Sequence, residues 1–475
     1  MRGQGSVWPA VTQSRLFWGG MITVIVIHMV NGTRAWIPAF FLQIPLKFDF
    51  TPLAKLFENV GKVNTGWSLF TPVFYPSLIA FAFFLTTEVS LSLGLSTLFW
   101  TILGTFFVAN GMVVQGGWAE GNMQNLLMFG SYVGVAVIVL YVGRRHYWDV
   151  TKAAVGFSRS VETPGYSVWA ARLLALCVGV GVWLLTTAGL DWVLALIFIG
   201  LCLLIMSVVA RANAETGAIF LQAGWLPMAI IGGLLGMEQV GPTAYIIMAI
   251  ASVTLVCDPR EAVMPYLVNA MEISDRAGGV APRKISPVLA VMVGLGLVAA
   301  LTATLWYQYR FGLSVNDGWA RNNVSQMPLD KLTSHVSALS ATDSLQQSLQ
   351  IHGLQRIWSA APTGETLGWI GLGVGLVLVT AAARLRLSWW PLHPVIFLFW
   401  GTYPASVFAY SFLLGWLIKT AVVKLMGAKG YHQIKPLMVG IISGELLAIL
   451  LGLLIGGCYY AAKGLLPIRY AIFPS

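Results

Sequence analysis

A glutamate inside an apolar run is the residue whose position most suggests chemistry. Glu445 lies in PLMVGIISGELLAILLGLL and has no basic neighbour in its own predicted helix. A carboxylate at such depth must find a partner, face water or carry a proton, because a lone charge in an apolar medium is strongly disfavoured. Gly440 and Gly444 precede it in a GxxxG spacing, which predicts close packing on another helix. Glu445 is therefore the first candidate for binding a proton or a substrate amine.

A second candidate is RANAETGA, residues 211–218, which joins two apolar runs without a real loop. Arg211 and Glu215 are four residues apart and so share one helical face, with Asn213 nearby. At membrane depth such charges mark a site, where Arg211 would pair a substrate carboxylate. A short turn with an exposed ion pair explains the same residues, and both interpretations stay open. Glu88, in FFLTTEVSLSLG, is a further candidate for proton or substrate binding, with a plain interfacial position as its alternative.

The chain lacks the common signatures of catalysis. Its six histidines are scattered, without HExxH or a paired His/Cys spacing, so a metal site is not expected. GxSxG, the P-loop and a GxGxxG that opens a helix after a strand are also absent. We therefore expect no enzyme, no catalytic residue, no metal and no cofactor.

The stretch LSWWPLHPV, residues 387–395, interrupts the apolar sequence. Pro391 and Pro394 cannot donate amide hydrogen bonds, and the residue before a proline is pushed towards extended geometry. With Pro404 further on, the pattern predicts a broken helix from Pro391 to Pro404. We expect His393 to terminate or orient a helix there. Such breaks occur at membrane depth where protein or a water-filled cavity satisfies the freed backbone groups.

These residues must be positioned by membrane helices. The 475 residues are 57% hydrophobic and 10% charged, with a mean hydropathy of +0.77. One soluble core cannot hide that much apolar surface, so we predict an all-α, polytopic membrane helix bundle, a single domain over 1–475 in contact with the lipid bilayer. The net charge of +10 does not indicate nucleic acid, because Lys and Arg mostly flank the apolar runs.

About twelve or thirteen apolar runs approach the length of a bilayer span, roughly 20 residues. They are 16–31, 67–86, 91–113, 124–143, 168–187, 191–210, 218–237, 243–257, 287–307, 366–383, 393–410, 411–426 and 437–461. The run 243–257 is short, and Pro227 and several glycines interrupt 218–237. Some spans are therefore expected to be broken or re-entrant.

Basic loops set the predicted orientation, since they favour the cytoplasmic side. Residues 308–365 then form an extracytoplasmic loop with helical spacing, and the N-terminus is cytoplasmic. Residues 258–286 form a cytoplasmic amphipathic segment, in which Pro259 and Pro265 delimit a helix. That helix is either a surface helix or a moving gate. The membrane expected is the inner (plasma) membrane.

Several motifs carry a family resemblance over nearly the whole chain. RLSWWPLHPV, FLLGWLIKTAVVKLMGAKGYHQIKPLMVGIISGE, HMVNGTRAWIPAFFLQIPL, FAFFLTTEVSLSLG, VVARANAETGA and DPREAVMPYLVNAMEISDRAGG resemble an uncharacterised bacterial family of multi-spanning proteins, a pair of adjoining domains of unknown function. The fold is more distantly similar to the oligopeptide transporter superfamily. The resemblance implies secondary transport of a peptide-like or amino-acid-like solute.

Members of that family begin with additional membrane helices before the part where this sequence starts. A membrane protein partner that supplies those helices, or a homo-oligomer, is therefore expected, and a nucleic acid is not. Two functions stay open: a secondary transporter that uses Glu445, Glu215 and Glu88, or a non-transporting structural subunit of a larger membrane complex.

Overall fold

A computed structural model shows a chain built of helices. It describes residues 10–39, 42–114, 117, 119–157, 163–218, 220–258, 263–279, 282–313, 318–468 and 470–473. Within these residues no strand forms, and the extended pairing is limited to an isolated antiparallel bridge between Lys47 and Val73. The all-α membrane helix bundle predicted from the sequence is confirmed.

The longer helices follow one another along the chain. They are α1 (Arg15–Trp36), α2 (Pro76–Phe84), α3 (Thr87–Ala109), α4 (Met123–Val142), α5 (Arg144–Val155), α6 (Gly165–Thr187), α7 (Trp192–Thr216), α8 (Pro227–Leu235), α9 (Pro242–Val256), α10 (Val263–Gly278), α11 (Pro282–Phe311), α12 (Met327–Ala341), α13 (Gly364–Arg386) and α14 (Tyr403–Lys463).

Among the described residues, 8 helices are long and apolar enough to cross a bilayer: α1, α3, α4, α6, α7, α11, α13 and α14. This is a number of helices and not of spans, because α14 is long enough to cross more than once and shorter helices can form broken spans; the expected twelve or thirteen spans stay a prediction. Two predicted spans, 411–426 and 437–461, both fall in α14, which has 61 residues. Gly427 is non-helical (φ 64°, ψ −162°) and divides α14 into two arms.

Three predicted spans, 67–86, 218–237 and 393–410, do not form full-length helices, whereas 243–257, predicted to be short, forms the 15-residue helix α9. Proline explains why two of the helices begin late: Pro76 and Pro227 each lie in the first turn, where a missing amide hydrogen is tolerated. α2 and α8 have 9 residues each, so each is about 14 Å long, half the thickness of a bilayer core. These runs have the apolar composition of spans, but their helices are shorter than the runs.

The chain divides into two compact units, a terminal unit of residues 1–114 and 383–475 and a central unit of residues 115–382. The single domain over 1–475 stays a prediction. In the terminal unit α14 is the central helix, and α1, α2 and α3 pack against it. Ala80, Phe83 and Met438 form an apolar cluster between α2 and α14.

In the central unit α7 packs against α4, α6, α9 and α10. The described part of the predicted loop 308–365 is largely helical and contains α12, which packs on α9. The ring of His335 in α12 stacks on the ring of Tyr245 in α9 with centroids 4.3 Å apart. Part of this segment is thus a packed element of the unit.

The predicted amphipathic segment 258–286 contains α10 and the start of α11. Pro265 does not delimit the helix, as the sequence suggested, but is the third residue of the described part of α10. Pro259 lies outside the described residues. Asn269 Nδ2 donates to Asn213 Oδ1 at 2.7 Å, which ties α10 to the end of α7.

Candidate functional site

Glu445 lies in the second arm of α14 and is 0% exposed. Its Oε2 accepts a short hydrogen bond from the backbone amide of Ser77. Ser77 is the second residue of α2, whose helix begins at Pro76. The amides of a first helical turn have no acceptor inside the helix, so a carboxylate at this position satisfies one of them.

This contact places the carboxyl group of Glu445 at the positive end of the α2 dipole. Aligned peptide dipoles place about half a positive charge at a helix N-terminus, which stabilises an anion there by up to about 2 kcal/mol in a partly buried geometry. Glu445 thus caps the N-terminus of α2, a half-length helix that begins inside the terminal unit. The sequence left three possibilities for this carboxyl group, a partner, water or a proton, and the structure gives it a partner, the backbone amide of a different helix.

His28 supplies a second partner. It lies in the middle of α1 and is 1% exposed, and its Nε2 is 3.4 Å from Glu445 Oε1. That distance is typical of an ion pair, although the two atoms lack hydrogen-bond geometry with each other. On the other side of the ring, Nδ1 lies 3.2 Å from the hydroxyl of Tyr470. Glu445, His28 and Tyr470 therefore form a contiguous row of titratable groups.

Glycines bring α1 and α14 close enough for this contact. A Cβ on Gly444 would stand 2.5 Å from the carbonyl oxygen of Met21, and a Cβ on Gly20 would stand 2.6 Å from that of Leu437. A Cβ on Gly440 would overlap the carbonyl oxygen of Phe17. The predicted close packing of the GxxxG segment is confirmed, and the helix it packs on is the one that carries His28.

The other end of α2 is also bound to α14. Lys419 Nζ, in the first arm, donates to the carbonyl oxygen of Leu85, the residue that follows α2. A cation at the C-terminal carbonyls complements the helix dipole in the same way that an anion complements the N-terminus. α2 is thus held by a carboxylate at its start and an ammonium at its end, one from each arm of the kinked α14.

The Arg211 and Glu215 candidates lie in the central unit, near the end of α7 rather than in a turn between spans. Arg211 Nε is 3.4 Å from Glu215 Oε2, and the side chains are 57% and 40% exposed. Asn213 Nδ2 donates to the carbonyl of Ala218 at 2.7 Å, next to Gly217, which ends the helix with φ 70°. These contacts are those of an exposed ion pair at a helix end.

Glu88 lies in the first turn of α3 and pairs with Arg384 at 2.7 Å, with both side chains partly exposed. The two residues join the start of α3 to the end of α13 within the terminal unit. An exposed pair of this kind contributes little, roughly 0–1 kcal/mol. The geometry is that of an interfacial ion pair.

The chain turns in the proline-rich stretch, at residues 393–395, and again at Gly401. His393 Nδ1 accepts from the amide of Val395 at 3.1 Å, and the amide of His393 donates to Ser92 Oγ at 2.7 Å. Only a short helix, Ile396–Phe399, separates this turn from Gly401, which has φ 66°. Pro404 then lies in the first turn of α14. Pro391 and Pro394 precede the short helix, where the chain is not helical.

A second charged pair, not singled out in the sequence, is buried in the central unit. Arg356 Nε is 3.7 Å from Asp191 Oδ2, with side chains only 7% and 10% exposed. Asp191 also accepts from the amide of Gly353 at 2.7 Å, and Arg356 donates to the carbonyls of Gln239 and Val240. Burial lowers the pKa of Arg356, and the charge of Asp191 acts in the opposite direction. The pair borders a cleft of about 310 Å³ and fastens the segment after α12 to the rest of the unit.

Sequence reasoning missed His28, Ser77, Tyr470 and Lys419. His28 was passed over because the histidines show no metal spacing, and in the described residues no group of three His, Cys, Asp or Glu is placed to hold a metal ion. The usable signal was the lack of a basic neighbour beside Glu445, together with a histidine in the middle of another apolar run. Lys419, inside an apolar run, carried the same kind of signal.

The helices and the buried polar site define a multi-pass, all-α membrane protein. The profile of a family of unknown function, DUF6785, matches residues 2–464, and the chain belongs to that family. No curated protein and no solved structure matches the chain.

Proposed function

We propose that this protein is a secondary membrane transporter in which Glu445 is the group that binds and releases a coupling proton. One observation carries the proposal: a fully buried carboxylate caps the N-terminus of a half-length helix and lies beside a buried histidine. Transporters place solute and ion sites at broken helices of this kind, near the middle of the membrane.

Protonation of Glu445 is linked to movement of α2, because Glu445 binds the N-terminus of that helix. While Glu445 is charged, it attracts the positive end of α2 and accepts from Ser77. A proton on Glu445 removes that charge and weakens the attraction, while Lys419 still holds the other end. α2 is then free to pivot about its C-terminal end. His28 and Tyr470 provide the route by which the proton reaches or leaves the carboxylate.

The solute in this proposal is peptide-like or amino-acid-like, an expectation that rests only on the resemblance inferred from the sequence motifs. The site offers a carboxylate for an ammonium group, which fits a solute with a free amine. We propose that the protein lies in the bacterial inner membrane, as the family resemblance implies, with its N-terminus in the cytoplasm, as the basic loops indicate. Arg211, Asn213, Glu215 and Glu88 stay predicted contacts, and their exposed pairing gives them less support than Glu445.

Transport assays on the full chain in proteoliposomes test the proposal. With an imposed pH gradient and a mixture of dipeptides and amino acids outside, we expect uptake of some of these solutes that depends on the gradient. Glu445→Gln should abolish the uptake and leave helix content and elution volume unchanged. Glu272→Gln is the matched control, since it also removes one carboxylate but from an exposed pair. Unchanged proton-linked uptake by Glu445→Gln would refute the role of this site.

A non-transporting structural subunit is the second candidate, and one observation favours it. In the most apolar stretch of α11, a full-length span, no residue is buried by the other residues that the structure describes. A partner or a second copy of the chain would cover it as well as lipid does. Purification from the native membrane in mild detergent decides the point: a stoichiometric complex with other membrane proteins favours the subunit, and an isolated monomer or homodimer counts against it.

A further inference from the structure

The helix α5 joins two predicted spans, α4 and α6, and has two different faces. Val150 and Ala153 are buried against the protein. Arg144, Trp148 and Lys152 are exposed and follow one another at intervals of four residues, so they form one stripe on the opposite face. A helix with this division of residues between two adjacent spans is suited to lie in the plane of the membrane interface.

The cations of this surface rest on aromatic rings. Arg144 lies 4.3 Å from the ring centroid of Tyr141, and Lys152 lies 5.0 Å from that of Trp148. In α6, Arg172 lies 5.1 Å from the ring of Trp169. Trp148 and Trp169 are 61% and 68% exposed. Exposed indole rings with a cation above them suit a boundary where an apolar layer meets charged headgroups.

The surface is held in a fixed geometry. Arg172 Nε donates to the carbonyl of Ala154 at 3.0 Å, and its Nη2 donates to that of Ala153 at 3.3 Å. These are carbonyls of the last turn of α5, which lack donor partners inside the helix. Gly156, with φ 107°, ends the helix immediately afterwards. Arg172 thus both fixes α5 to α6 and extends its positive surface.

We propose that this surface, comprising Arg144, Trp148, Lys152, Trp169 and Arg172, binds the headgroups of anionic phospholipids. The argument is charge complementarity: over residues 141–157 there are three Lys and Arg residues and one acidic residue, Asp149. Each basic residue near an anionic membrane surface contributes about 1 kcal/mol to binding. The exposed aromatic rings at the same place favour a lipid, with its acyl chains, over a soluble anion. The inference is independent of the transport proposal.

Native mass spectrometry of the full-length protein tests the inference. The protein is titrated with phosphatidylglycerol and, separately, with phosphatidylcholine, and the dissociation constant of each bound lipid is measured. We expect tighter binding of phosphatidylglycerol, and a loss of roughly five-fold for each cation removed, the factor that corresponds to about 1 kcal/mol. Arg144→Gln and Lys152→Gln together should weaken binding roughly thirty-fold on the same basis. Arg172 is left unchanged because it also holds α5.

Three comparisons make the result decisive. Arg276→Gln removes an exposed arginine already paired with Glu272 and should leave phosphatidylglycerol binding unchanged. The charge-preserving pair Arg144→Lys and Lys152→Arg should retain binding, which shows that the double Gln variant fails through lost charge. Glycerol phosphate, the soluble headgroup, should not compete at equal concentration. Equal loss with Arg276→Gln, equal affinity for both lipids, or full competition by glycerol phosphate would each overturn the proposal.

Discussion

The contact between α1 and α14 can be tested by adding a single methyl group. At Gly440 a Cβ would overlap the carbonyl oxygen of Phe17, and the next two atoms it would meet are also backbone atoms of Phe17. Backbone atoms of a helix cannot rotate aside as a flexible side chain can. Gly440→Ala should therefore push the two helices apart, and with them His28 and Glu445.

The magnitude follows from two opposing effects. Overpacking a tight interface costs about 1–3 kcal/mol, and contact with the backbone favours the upper part of that range. Replacing glycine by alanine inside a helix stabilises by about 1 kcal/mol through helix propensity. Gly452 in the same helix serves as the control, because a Cβ there meets nothing within 4 Å. Propensity cancels between the two variants, so their difference should be about 1–3 kcal/mol.

Unfolding of each variant in mixed detergent micelles, followed by circular dichroism, measures this difference. We expect Gly452→Ala to be as stable as the unchanged protein or slightly more stable, and Gly440→Ala to be less stable. Gly444→Ala, whose Cβ would stand 2.5 Å from the carbonyl of Met21, should behave like Gly440→Ala. Equal stability of the Gly440 and Gly452 variants would show that α1 does not pack here as described, and the His28 contact would lose its support.

Three further predictions concern other charged and titratable groups. Lys419→Met should lower the free energy of unfolding by about 1–3 kcal/mol, because the carbonyl at the end of α2 loses a charged donor. Lys419→Arg should recover part of the loss. Lys429→Met, at an exposed position of α14, should cost little in the same detergent titration. Arg356→Met should destabilise the central unit by roughly 3 kcal/mol, since Asp191 stays buried without its cation. A protease should then cleave the segment after α12 faster. The double variant Arg356→Met with Asp191→Asn should be less sensitive to the protease than Arg356→Met alone. Burial lowers the pKa of His335 below its ordinary 6.5, so the unfolded chain binds a proton more readily than the folded one. The free energy of unfolding should therefore fall as the pH drops from 6.5 towards the folded pKa. Hydrogen exchange in α12 should rise over that pH window, and a His335→Gln variant with the same pH dependence would contradict this assignment.

Much of the fold could be read from composition and run length. A bilayer span requires about 20 apolar residues, and where the chain offers such a run without proline, as in α4, α6 and α7, the predicted helix forms. The same criterion failed at 67–86 and 218–237, because hydropathy does not register a late start at proline. Pro76 and Pro227 were visible in the sequence, but only Pro227 was taken into account.

The candidate site was predicted in part. Glu445 stood out because a charge in an apolar run demands a partner, and the GxxxG spacing beside it indicated a tightly packed neighbour. Arg211, Glu215 and Glu88 stood out for the same kind of reason, yet each of them lies in a partly exposed ion pair. Hydropathy indicates that a charge lies near an apolar run, and it does not indicate on which side of the helix the charge points.

The sequence by itself determined that the chain is a helical membrane protein and that Glu445 cannot stand alone, because both follow from the free energy of removing groups from water. The tertiary structure decided that its partners are Ser77, His28 and, through the opposite end of α2, Lys419. These residues are hundreds of positions apart from Glu445 or separated from it by a kink. These residues come together because glycines let the backbones of α1 and α14 touch and because α2 begins inside the terminal unit. The spacing of residues along the chain predicts neither of these two features.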